Sequence, residues 1–182
     1  MTYDEATDPA RAGAPGPTPD PAPGPDPAPG PTPDPAPAVR VGDELTPLAI
    51  PITRTLIVAG AVASRDYQDV HHDAELARAK GSPDIFMNIL TTNGLVGRYL
   101  TDHFGPTAVL RKVAIRLGAP NYPGDTMTLT GSVTAVDDNG NGNGNGNGSL
   151  VRVRVVGANG IGHHVTGTAT LELPRSGEVT GR

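Results

Sequence analysis

The sequence has no cysteine. Disulfides, thiolate zinc sites and a cysteine nucleophile are therefore excluded. No apolar run approaches the roughly 18 residues of a membrane span. The start of the chain has no basic stretch followed by an apolar core, so no secretory signal is expected. A cytoplasmic protein that meets no membrane is the expectation. A basic excess is also missing. The formal charge is −5, and residues 1–38 hold all of it, with six acids against one base (Arg11). The remaining residues carry 13 acids and 13 bases. A neutral body of this kind argues against a nucleic-acid module.

What is present divides the chain. Residues 1–38 contain 13 of the 20 prolines, and the octet G-P-T-P-D-P-A-P occurs at 16–23 and again at 30–37. Alternating proline removes backbone donors and fixes φ near the polyproline II value. With few apolar side chains, nothing offsets the ordering entropy. Residues 1–38 are expected to be a disordered acidic extension and 39–175 the folded domain. Residues 176–182 are expected to be a flexible tail. Within the domain, Asn139 to Gly148 is five Asn-Gly repeats. Asn-Gly is a hairpin-turn dipeptide, since both residues tolerate positive φ. Five copies read as an expanded hairpin loop set away from any site.

The remainder reads as α+β. An early strand falls near Leu48–Ile52. A short apolar helix follows Pro51, carrying Leu56, Ile57, Val58, Ala59, Val62 and Ala63. After a polar loop, Ser64–His72, a short helix spans Asp73–Lys80. A long helix runs from about Phe86 to His103, with Gly94 and Gly97 on one face. Glycine in a helix costs up to about 1 kcal/mol relative to alanine, and close approach to a sheet would explain it. Four strands follow at Ala108–Leu117, Thr126–Val136, Leu150–Val156 and His163–Leu173. Alternation is plain in Val113, Ile115, Leu117 and in Val151, Val153, Val155. Helices segregated from consecutive strands predict an antiparallel sheet curved around the long helix. His163 and His164 then fall on opposite faces of the last strand.

The one dense polar cluster is Arg65-Asp66-Tyr67-Gln68-Asp69-Val70-His71-His72-Asp73. By spacing alone it reads first as a solvated loop capping the next helix. Asp66 and His71 also lie close enough in a folded-back loop to reach one water, as general acid–base chemistry requires. No spacing of His and carboxylate suggests a metal site. Asp69 and Asp73 read as loop and helix-start acids, and Arg111, Lys112 and Arg116 as strand-surface charges.

D-Y-Q-D-V-H, then H-D-A-E-L-A, then G-S-P-D-I-F-M-N-I-L, resembles the MaoC-like (R)-specific enoyl-CoA hydratases. Their pattern is Asp-x-Asn-Pro-(Ile/Val)-His, an alanine six residues later, and a helix. Asp66, Val70, His71 and Ala77 match it. Together with R-L-G-A-P (116–120), the string is most similar to smaller subunits of heteromeric hydratases of steroid side-chain degradation, in which the Asn-Pro pair is also replaced. The resemblance, over Val41 to Leu173, implies a single hot-dog domain, an antiparallel sheet wrapped around a long central helix. It implies hydration of a trans-2-enoyl-CoA to a 3-hydroxyacyl-CoA, with Asp66 and His71 catalytic. The family's oxyanion-binding glycine aligns with Asn88, and its glycine before the aspartate aligns with Arg65. The CoA thioester is the substrate, and no cofactor or metal is implied. The partner implied is a second MaoC-like hot-dog subunit, or a second copy of this chain. The alternatives are a homodimeric fatty enoyl-CoA hydratase and a non-catalytic hot-dog subunit.

Overall fold

Period-two alternation becomes sheet throughout the C-terminal half. In the computed structural model, residues 39–137 and 148–174 are described. The strands are β1 (Glu44–Pro51), β2 (Val109–Leu117), β3 (Thr126–Asp137), β4 (Gly148–Ala158) and β5 (His163–Pro174). The helices are α1 (Arg54–Ala63), α2 (Ala74–Ala79) and α3 (Ile89–Phe104), with a 3₁₀ turn at Asp69–His71. All strand pairs are antiparallel and the order is β1-β3-β4-β5-β2, leaving β1 and β2 as edges. The expectations for 1–38, for the Asn-Gly repeats up to residue 147 and for the C-terminal tail lie outside the described residues.

Register puts the apolar half of each strand on one face. Val133 lies opposite Val153, Val153 opposite Ala169, and Ala169 opposite Val113. The first three are buried. Each of the four pairings contains a register shift, and such bulges bend a sheet. Here the bend closes over α3. That helix buries Thr92, Val96, Tyr99 and Leu100, a stripe at helical spacing. Burying each large aliphatic side chain contributes about 1.5–3 kcal/mol.

Three expectations need correction. The long helix starts at Ile89, not Phe86. The Phe86 and Met87 N–H groups donate to Val70 O (3.0 Å) and Asn121 O (3.1 Å). Asn88 then caps α3, its Oδ1 accepting from Thr91 N at 2.9 Å. Secondly, β1 begins at Glu44 and β4 at Gly148, both earlier than alternation indicated. Thirdly, Gly94 and Gly97 are not where the chain comes close. A Cβ at Gly94 would meet nothing within 4 Å, and one at Gly97 only Leu110, at 3.7 Å. The sheet supplies the missing side chain instead. A Cβ on Gly131 of β3 would press on Leu45, Tyr99 and Val153 at 3.1–3.3 Å. No helix among the described residues is long and apolar enough to cross a membrane.

Candidate active site

Two helix ends build the site. α1 starts at Thr53, whose hydroxyl accepts from Leu56 N at 3.0 Å. It ends with Ser64 N–H donating to Gly60 O and Asp66 N–H to Ala61 O at 2.9 Å. Arg65, between them, has φ +57°. The left-handed conformation at a helix end favours glycine, which explains physically why a glycine is expected before the aspartate. The turn delivers Asp66 to the start of α3. α1 itself comes close to α3 at Gly60, where any Cβ would overlap the Thr91 hydroxyl. That hydroxyl is buried and has no hydrogen-bond partner among the described residues.

His71 comes from the 3₁₀ turn and is buried. Its Nδ1 lies 2.7 Å from Phe86 O. A carbonyl can only accept, so Nδ1 carries the proton and Nε2 is the working nitrogen. Phe86 also meets the imidazole edge-on, with ring centroids 5.1 Å apart. Nε2 lies 3.3 Å from Asp66 Oδ2. The Asp66 side chain is 18% exposed and that of His71 is 7% exposed. The pair thus sits at the surface end of a mostly enclosed contact.

Asn88 completes the group. Its Oδ1 is committed to Thr91 N, which fixes the amide orientation. Nδ2 then donates to Ser64 Oγ at 2.8 Å and to Asp66 Oδ2 at 3.1 Å. The sequence placed Asp66, His71 and Asn88 at one site, and the fold brings all three together. The Asn88 side chain is buried, and all of these contacts are internal. The N-terminus of α3 still presents N–H groups without intrahelical acceptors.

Ion pairs brace both flanks. Arg54 holds Asp84 with two hydrogen bonds, at 3.0 and 2.7 Å. That guanidinium, with the Ile85 N–H, pulls the Asp84 carboxyl down to about 2. Lys80 meets Asp69 at 2.7 Å and lowers its carboxyl in the same way. Asp73 caps α2 through Glu75 N and Leu76 N. Asp69 and Asp73 are thus the loop and helix-start acids expected. Arg111 pairs with Glu172 on the sheet.

Sequence reasoning missed one participant and one buried support. Ser64 gave no signal, since its role depends on an asparagine 24 positions away. His164 is the support. It is buried at 1% exposure while His163 is exposed, so the two do face opposite ways. Nδ1 of His164 donates to Ala119 O at 2.7 Å, and Nε2 meets Thr92 Oγ1 at 2.8 Å. Burial pushes this imidazole below the usual histidine range.

Four large apolar side chains adjoin the polar group in sequence and stay exposed: Val62, Tyr67, Ile89 and Leu90. Apolar side chains exposed beside such a group in the sequence suit an apolar ligand or a covering partner.

Residues 38–154 match the family model described as MaoC like domain. The 3-oxo-4,17-pregnadiene-20-carboxyl-CoA hydratase beta subunit of Mycobacterium tuberculosis is 48% identical over 133 residues, covering 73% of this chain and 95% of that protein. The crystal structure of the ChsH1-ChsH2 complex from Mycobacterium tuberculosis contains a chain that is 48% identical, with TM-score 0.68, covering 75% and 99% of the two chains. The (R)-hydratase from A. caviae involved in PHA biosynthesis shares the fold at 20% identity and TM-score 0.66, covering 76% and 100%.

Proposed function

Because this chain belongs to the MaoC-like domain family, we propose that it is the catalytic subunit of a heteromeric enoyl-CoA hydratase acting on steroid side-chain thioesters. The fold is the family's hot dog, and the enzyme class is hydro-lyase. The finer reading, catalysis in this subunit, rests on one observation. Asp66 and His71 face each other at 3.3 Å with the far nitrogen of His71 anchored. A subunit that served only as scaffold has no need of that pair.

The chemistry follows from the atoms available. Water is held by Asp66 Oδ2 and His71 Nε2, beside the enoyl double bond. Its oxygen attacks C3 as one of its protons passes to the pair. The same pair returns a proton to C2, so the product is the 3-hydroxyacyl thioester with no net proton change. Negative charge develops on the thioester oxygen between these events. It is met by N–H groups at the start of α3, the backbone N–H of Asn88 first among them, where the helix dipole is also favourable. Positioned acid–base transfer of this kind contributes roughly 10²–10⁴ in rate.

A hot-dog partner is supported by the ChsH1-ChsH2 likeness and by the exposed sheet edge. Among the described residues, strand β2 is a sheet edge, and Val109 on it is exposed, as are Ile89 and Leu90 at the start of α3. Edge strands offer backbone groups to another chain. The 48% identical relative is named for a pregnadiene-carboxyl-CoA substrate, a bulky apolar acyl group that suits a cavity shared between two subunits.

The test is hydration of steroid side-chain and straight-chain enoyl-CoA thioesters by the chain alone and after co-expression with a MaoC-like partner. Activity on the steroid thioester only with the partner is the expected result. Full activity of the chain alone on straight-chain substrates would instead make it a homomeric fatty enoyl-CoA hydratase.

A further inference from the structure

We infer that Asn88 is a positioning residue that holds the Asp66 carboxylate through its side-chain amide. This rests on the reading of Asp66 as catalytic and goes beyond the expectation of Asn88 as an oxyanion donor. Three observations carry it. The side chain is buried, at 2% exposure. Its orientation has no freedom, since Thr91 N–H can only donate and therefore faces Oδ1. The opposite NH₂ then has two acceptors, Ser64 Oγ at 2.8 Å and Asp66 Oδ2 at 3.1 Å.

The arrangement joins three structural facts at one amide. It caps α3, it ties the end of α1 to the start of α3, and it aims the carboxylate at His71. Oδ2 therefore receives a donor from Asn88 on one side while facing Nε2 of His71 on the other. Ser64 is itself fixed, its hydroxyl donating to Gly60 O at 2.7 Å. The close crossing at Gly60 and Thr91 keeps the two helix ends in reach. A glycine at position 88 would leave the backbone N–H in place but remove the clamp.

The cap and the clamp can be separated by substitution. Asn88→Ser keeps a good N-cap for Thr91 but is too short to reach Asp66. Asn88→Asp keeps an oxygen for Thr91 N and sets a second carboxylate oxygen against Oδ2. Both are measured in the full chain with its partner, by steady-state hydration of enoyl-CoA and by thermal melting, beside Asp66→Ala. Hydrogen bonds to charged groups predict that Asn88→Ser lowers kcat about ten- to a hundredfold. KM stays within about threefold, and Asn88→Asp falls further, since like charges in contact repel. The melting temperature of Asn88→Ser falls by only a few degrees, since the cap on α3 is kept while the tie to Ser64 is lost.

Wild-type kcat in both Asn88 variants, with Asp66→Ala inactive, overturns this inference and leaves the hydratase reading standing. A fall in melting temperature that accompanies parallel changes in kcat and KM overturns it too, because a merely structural role gives that pattern. An active Asp66→Ala overturns the reading of this chain as the catalytic subunit, and this inference with it.

Discussion

His71 and His164 are anchored alike and used differently. Each is buried, and each gives its Nδ1 proton to a backbone carbonyl at 2.7 Å, Phe86 O for one and Ala119 O for the other. What Nε2 meets separates them. In His71 it meets a carboxylate, Asp66, at a partly exposed position. In His164 it meets the hydroxyl of Thr92 on α3, and both residues are buried. The anchor fixes the tautomer in both. Access and the second partner decide whether the imidazole moves protons or holds the core together.

Substitution should pull the two apart. His71→Ala is expected to lower kcat by about 10²–10⁴ in the protein that folds, as read by hydration assay, beyond any loss of stability. His164→Ala should act on stability alone. It leaves a buried cavity and strands the Ala119 carbonyl, while Thr92 Oγ1 keeps only its bond to Asn88 O at 3.2 Å, at about 2–4 kcal/mol of stability. Denaturant unfolding measures that loss, and kcat of the surviving folded protein should stay within about tenfold. Equal loss of activity in both variants would break the distinction.

The pH dependence of stability sharpens the same contrast. Burial lowers the folded-state His164 below its unfolded value of about 6.5. The unfolded chain therefore binds the proton first. Stability from this group is fully present above about pH 6.5 and declines as pH falls below it, by at most about 1.4 kcal/mol per pH unit. His164→Asn should flatten the melting temperature between pH 7.5 and 5.5. A second loss, from Asp84, belongs to a separate window. Its carboxyl is held at about 2 by Arg54, so it contributes above about pH 3.8 and is lost as pH falls toward 2.

The smallest expected effect concerns backbone strain beside Asp66. Arg65 holds φ +57°, which costs a non-glycine residue roughly 1–2 kcal/mol. Glycine would relieve that and forfeit roughly 0.5–1 kcal/mol of chain entropy. Arg65→Gly should therefore stabilise the fold by about 0.5–1 kcal/mol in a denaturant titration. A destabilised Arg65→Gly would mean that the arginine side chain contributes more than its conformation costs.

Much of this was legible in the sequence where the signal is local. Strand alternation placed β2 and β4 because an antiparallel sheet with one covered face imposes a period of two. The Asp66–His71 pair was legible through its motif, since a loop of that length can close on itself. The start of α3 was not, because Phe86 and Met87 look like helix residues and are held by Val70 and Asn121 from elsewhere. Gly94 and Gly97 misled for a similar reason. Helix glycines suggest close contact, yet the contact is made by Gly131 on the sheet and Gly60 on α1. Asn88 and Ser64, or His164 and Thr92, are partners 24 and 72 positions apart. No period or spacing carries such pairs.

The central claim is that the chemistry resides in this chain. Its most direct test is hydration of a steroid side-chain enoyl-CoA by the complex of this chain with its MaoC-like partner, carrying Asp66→Ala or His71→Ala in this chain alone. Both variants should assemble with the partner and lose activity by about 10²-fold or more. Assembled complexes that keep wild-type activity would move the chemistry to the other subunit.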